Sequence, residues 1–130
     1  MLPINKYCIP FLFCINLITG FSQRLDVNAS LEPKKILIGQ QAKLSLTVRY
    51  DANTKSTDIN WPILHDTVIK QIEILDSLKT QSQIEGGLNS ETKIYTITCF
   101  DSGYYAIKPF VFYIQNNLYE TSALLFEVHT

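Results

Sequence analysis

The side chains with chemistry to offer in this 130-residue sequence are few: two histidines, three cysteines and scattered serines and acids. His65 and Asp66 are adjacent, and Ser56 or Ser77 would complete a hydrolytic triad by residue type. Neither serine sits in a nucleophile elbow, and a triad is defined by geometry rather than by spacing. His65 follows an apolar run at a strand end, which predicts a loop histidine. Metal ligation fares no better. His129 is next to the end of the sequence, and Cys99 has no partner at ligand spacing. Asp66 and Asp101 fall in separate loops, without the acidic cluster that calcium needs. Cys99 alternates with Ile97 and Tyr95, the pattern of a packed thiol rather than a redox centre. The expectation is no catalytic residue, no cofactor and no metal. What remains is aromatic. Tyr104, Tyr105, Phe110, Phe112, Tyr113 and Tyr119 fall on strand-like positions, where such rings build either a core or a stacking platform for sugars and peptides. Trp61, Tyr113 and Tyr119 are the candidate interaction surface.

The elements that would hold these residues are strands. Asp101-Ser102-Gly103-Tyr104-Tyr105 has the spacing Asp-x-Gly-x-Tyr, which fits the corner where an immunoglobulin-like sandwich crosses between its sheets. Asp101 is expected to accept the amides of its own turn. Gly103 supplies a backbone angle or a close approach, and Tyr105 returns its hydroxyl to an upstream backbone group. Antibody-type domains place a cysteine two residues after that tyrosine; here the residue is Ile107, so the inter-sheet disulfide is absent.

Around the corner, period-two patterning recurs. Leu25, Val27, Ala29 and Leu31 share one face of a strand that Pro33 restricts to an edge. Asn28-Ala29-Ser30 fits a glycosylation acceptor, but the alternation reads Asn28 as a solvent-facing strand residue. Ile36-Leu37-Ile38 leads to a Gly39-Gln40 turn. Ala42, Leu44, Leu46, Val48 and Tyr50 then alternate with Lys43, Ser45, Thr47 and Arg49, the clearest strand in the chain. Trp61 has the position of the buried tryptophan of a sandwich's second sheet, with Pro62 interrupting the ladder. Residues 68–75 are β-type. Residues 76–92 are polar and carry Gly86-Gly87, a reversal point, ahead of a strand over 93–100. Pro109 separates the strand after the corner from an aromatic run over 110–114. Asn116-Asn117 should fold that run back onto 118–121, and a last strand covers 124–128. The fold class is all-β: an immunoglobulin-like β-sandwich of seven to nine antiparallel strands.

Composition agrees. With 46% hydrophobic and 18% charged residues the chain is too apolar for disorder. A net charge of −1 gives no reason to expect nucleic acid. Cys8 and Cys14 lie in an N-terminal apolar stretch, which leaves Cys99 alone, so the domain must stand on its core. That stretch reads as a secretory signal peptide over residues 1–22. Lys6 precedes an apolar run over 7–19, and Gly20 and Ser22 are the small residues at −3 and −1 of a cleavage site. The run is short of the roughly 20 residues of a spanning helix; a buried first strand and an uncleaved anchor are the competing readings. Phe13 before Cys14 disfavours a lipoprotein. The sandwich domain then occupies residues 23–130.

Three stretches together carry a resemblance. They are Ile36-Leu37-Ile38-Gly39-Gln40-Gln41; Trp61-Pro62-Ile63-Leu64-His65-Asp66-Thr67 followed by Ile72-Glu73-Ile74-Leu75; and Tyr95-Thr96-Ile97-Thr98-Cys99-Phe100 running through the corner to Pro109-Phe110. In this order and spacing, over most of residues 25–130, the chain resembles BatD-type proteins of the Bacteroides aerotolerance operon. These are exported, membrane-anchored proteins that begin with immunoglobulin-like domains. The resemblance implies a non-catalytic role in the periplasm or cell envelope, beside von Willebrand-type partner proteins, and offers no catalytic residues to carry over. Family members are longer and carry an apolar membrane helix after their sandwich domains, so membrane attachment is expected only if this chain is part of a longer protein. The expected function is an exported protein-interaction module that binds other envelope proteins. The alternative is a carbohydrate-binding or adhesive cell-surface domain.

Overall fold

A computed structural model describes residues 24–84 and 86–130. The expected leader, residues 1–22, lies outside the described residues.

Strand formation follows the alternation. β1 (Leu25–Glu32), β2 (Lys35–Leu37) and β3 (Gln41–Tyr50) open the chain. β1 and β3 pair antiparallel from Leu25 opposite Tyr50 to Glu32 opposite Lys43. Leu31, Leu44, Leu46 and Val48 are buried on the inner face, while Asp26, Asn28, Lys43 and Arg49 stay in water. Pro33 follows β1 directly, and β1 is the edge of its sheet. Between β2 and β3 the chain reverses at residues 37–40. Gln40 N–H donates to the Leu37 carbonyl at 3.0 Å, and Gly39 takes φ +81°, a left-handed angle a side chain would resist.

β4 (Ile59–Asn60), β5 (Thr67–Ile69), β6 (Ile72–Ile84) and β7 (Leu88–Cys99) follow. The first layer is the five-stranded antiparallel sheet β1-β3-β7-β6-β5. Here the strands run further than the sequence predicts. The polar tract at 76–92 forms the distal half of the β6–β7 hairpin, with Gly86 and Gly87 both at positive φ in its turn. The reason is coverage. From Leu75 to Ser82 every residue of β6 is exposed, so no apolar alternation is needed there and none marks the strand. The register of β6 against β7 also shifts between Ile74 and Asp76, a bulge at Leu75. Because side chains alternate, one extra residue exchanges the two faces of everything beyond it. Ile72 and Ile74 share the inner face with Cys99 and Ile97; past the bulge, Ser77, Lys79 and Gln81 take that face and Leu78 is turned out into solvent.

The second layer is built on β8 (Gly103–Ile107), β9 (Val111–Ile114), β10 (Asn117–Glu120) and β11 (Leu124–His129). β9 pairs with β10 and β8 with β11, so the four segments form one long hairpin pinched at Pro109 and Thr121. At the pinch, Thr121 N–H donates to the Phe110 carbonyl at 3.0 Å. Phe110 N–H donates to Thr121 Oγ1 at 2.9 Å, a side chain standing in for the missing backbone acceptor. The hairpin reverses at Gln115 and Asn116, at φ 50° and 64°, one residue earlier than the predicted Asn116-Asn117 pair. Gln115 Nε2 donates to the Asn53 carbonyl at 3.0 Å, which ties this turn to the loop before β4. β4 flanks β9, and β2 flanks β11. The β2–β11 pairing is parallel, an exception to the antiparallel arrangement expected throughout.

The chain is thus an all-β sandwich. Its eleven described strand segments join into nine lines once the pinched hairpin is counted as two. Between the layers lie Leu31, Leu44, Leu46, Ile72, Tyr95, Ile97, Phe112, Ile114 and Phe126, all essentially free of solvent. Burying apolar area of this kind is the main favourable term in folding.

Candidate functional site

The chain crosses between layers at residues 100–102, and the tyrosine closes this corner. Tyr105 Oη donates to the Asp101 carbonyl at 2.7 Å, and the buried Cys99 thiol reaches the same oxygen at 3.2 Å. A Cβ on Gly103 would stand 3.4 Å from the Tyr105 ring and hydroxyl, so the glycine lets the ring lie against the chain. Asp101 acts through its main chain. Among the described residues the side-chain turn bonds expected of it are not formed; its carboxylate is exposed and its carbonyl is the acceptor. Partial burial, then the neighbouring Cys99 and Asp101, push the Tyr105 phenol above the ordinary tyrosine range.

The three aromatic candidates do not share a surface. Tyr113 is opposite Leu118 and points outward, whereas Tyr119 is opposite Phe112 and packs partly against the core. Tyr113 and Tyr119 therefore lie on opposite faces of their hairpin. Trp61, just past β4, sits edge-on to Phe112 with ring centroids 5.1 Å apart, partly buried against the core. His65 and Asp66 are exposed, and the Asp66 carbonyl accepts Ile74 N–H at 2.8 Å. Ser56 Oγ donates to Glu91 rather than to a histidine.

Two features emerge that sequence reasoning missed. The first is a buried carboxylate. Glu91 on β7 is 1% exposed. Its Oε2 accepts Tyr50 Oη at 2.7 Å, and its Oε1 accepts Ser56 Oγ at 2.9 Å and the Lys79 ammonium at 3.0 Å. Burial alone would raise its pKa, but the bonds from Tyr50, Lys79 and Ser56 together outweigh burial and hold the carboxyl below the ordinary glutamate range. The same contact, with burial first, pushes the Tyr50 phenol up. An acid in a polar tract carries no mark of this role in the sequence; the register of β3, β7 and β6 assembles it.

The second is the outer face of the β2-β11-β8 sheet. Leu37, Tyr104 and Leu125 are 50%, 78% and 73% exposed there. Register puts His129 opposite Leu37, Glu127 between Lys35 and Tyr104, and Leu125 opposite Ala106. Tyr104 meets the His129 ring at 6.0 Å, and His129 Nε2 lies 3.1 Å from Glu127 Oε2. Beside them is a hollow of about 480 Å³ lined by Lys34, Lys35, Leu124, Leu125 and Glu127. Large apolar side chains thus stand in water around the Glu127–His129 pair, on a strand face rather than a loop.

Among the described residues, no three His, Cys, Asp or Glu side chains come together as a metal site, and no helix is long and apolar enough to cross a membrane. Comparison with protein-family models and with curated proteins finds no match.

Proposed function

We propose that this chain is a non-catalytic protein-interaction module of the bacterial envelope, exported and working through the outer face of its β2-β11-β8 sheet. One observation carries the reading: Leu37, Tyr104 and Leu125, from three adjacent strands, hold their apolar surface in water around the Glu127–His129 pair. Single exposed apolar residues are ordinary on any surface, but two leucines and a tyrosine on one rigid strand face are the anchor pattern of an interface. The partners are other envelope proteins, and the resemblance to BatD-type proteins points to von Willebrand-type domains among them. The carbohydrate-binding alternative needs rings in one plane, and the opposed faces of Tyr113 and Tyr119 do not support it.

The test is affinity capture with crosslinking from an envelope extract, comparing the native protein with Leu125→Asp and Tyr104→Ser. A protein retained by the native chain and lost from both variants supports the reading. Equal retention by all three contradicts it.

A further inference from the structure

Among the described residues, β8 is the sheet edge that carries no protection against another strand. The others are guarded by the devices that keep edges from pairing. β1 carries Asp26 and Glu32 and runs into Pro33. β2 has three residues, with Lys35, and β10 has four, with Glu120. β4 has two residues, and β5 has three in an irregular register. β8 is five residues long, Gly103-Tyr104-Tyr105-Ala106-Ile107, with no charge, no proline and an unbroken register to β11 on its other side.

Pro62 leaves this edge bare. β4 pairs with β9 as far as Asn60 opposite Tyr113, and the same line continued would run beside β8. Proline has no N–H to give a ladder, and residues 61–66 form no strand; they lead instead to β5 in the other sheet. Among the described residues no backbone bond joins 61–66 to β8. A hollow of about 390 Å³ is left, lined by Pro62, Leu64, Val68, Ala106, Ile107 and Phe110. Ile63, in the same segment, is 80% exposed.

We infer that β8 pairs with β8 of a second copy of this chain, antiparallel about a two-fold axis at Tyr105. The symmetry makes the edge complementary to itself. Tyr104 falls opposite Ala106 and Gly103 opposite Ile107, a large side chain against a small one on each face. Lys108 falls opposite Ser102, one residue from Asp101 of the second copy, and the axis repeats this contact. Both Lys108 and Asp101 are exposed, and neither has an ion-pair partner among the described residues. No like charges meet along the pairing, and this charge match selects a second copy over an unrelated strand. The outer face with Leu37, Tyr104 and Leu125 stays open, so the dimer is independent of the partner surface proposed above.

A five-residue edge with a small apolar flank falls below the standard interface size, so the dimer is weak, with a Kd on the order of 10 μM. Sedimentation equilibrium of the purified protein, from about 1 to about 200 μM, spans that value. Lys108→Glu sets a glutamate beside Asp101 twice over and weakens the dimer about tenfold. Asp101→Lys does the same, and because the corner uses the Asp101 carbonyl rather than its carboxylate, the fold is kept. The double variant, with both charges exchanged, restores the native Kd. Ala106→Lys guards the edge and abolishes the dimer, whereas Lys70→Glu, in an exposed turn, leaves it unchanged. A protein that stays monomeric throughout overturns the inference, as does a dimer that Lys108→Glu leaves intact or that the double variant fails to restore. A monomer in which Ala106→Lys instead costs the capture of an envelope protein assigns the edge to a foreign strand, which also overturns it.

Discussion

Replacing Glu91 by glutamine keeps its size and removes its charge, and its cost can be worked from the three contacts it makes. The Tyr50 and Ser56 hydroxyls donate to the carboxylate at 2.7 and 2.9 Å. A hydrogen bond to a charged group contributes about 1.5–3 kcal/mol and a neutral one about 0.5–1.5, so neutralisation takes roughly 1 kcal/mol from each. The Lys79 contact is half-exposed, at 49%, and solvent leaves it worth about 0.5 kcal/mol. The expected loss is about 2.5 kcal/mol at pH 7, or a fall in Tm of about 10–15 °C for a domain of this size. Urea unfolding at pH 7 measures it. A pH series then adds a check of sign. The folded-state pKa of Glu91 is depressed, so its contribution is present above about pH 4.5, the ordinary glutamate value, and is lost as pH falls through the folded value. The gap between native protein and variant must therefore narrow as the solution is taken below pH 4.5. Asp51, whose carboxyl the backbone amides of Arg24 and Asn53 also hold low, titrates in both proteins and cancels in the difference. A loss under about 0.5 kcal/mol, or a gap that is the same at pH 3 and pH 7, would refute this account of the buried cluster.

Thr121→Val keeps the shape of the pinch but removes the acceptor of Phe110 N–H, leaving a buried amide unpaired; urea unfolding should show a loss of about 1–3 kcal/mol. Leu78→Thr, at a position the bulge turns into solvent, should change stability by less than about 0.5 kcal/mol. An inward Leu78 would make the same change cost several times more. Tyr105→Phe should lower the urea midpoint by removing the bond to the Asp101 carbonyl. Because the folded-state pKa of Tyr105 is raised, its contribution is complete below pH 10 and lost as pH rises through the folded value, so the difference between native protein and variant should shrink in strong alkali.

What could be read from the residues alone depended on burial. β1 and β3 are covered on one face along their length, so they must alternate, and both were legible to within a residue. The corner was legible because a tyrosine two residues after a glycine answers a local geometric need. The distal half of the β6–β7 hairpin was not. Its strands are held by backbone bonds while β6 lies open to water, which leaves side chains free of any pattern. The bulge was equally hidden, since the exchange of faces after Leu75 shows only in the register. The same holds for Glu91, whose partners come from residues 50, 56 and 79 and meet only when three strands align. The opposed faces of Tyr113 and Tyr119 follow from the two-residue reversal itself, whose register sets Tyr113 opposite Leu118 and Tyr119 opposite Phe112.

The central claim is that the outer face of β2-β11-β8 is the working surface. Hydrogen exchange on the native protein with and without a captured envelope partner tests it most directly. The account predicts added protection in β8 and β11, at residues 103–107 and 124–129, with the β6–β7 hairpin unchanged. Protection confined to β6, or none on β8 and β11, would contradict it.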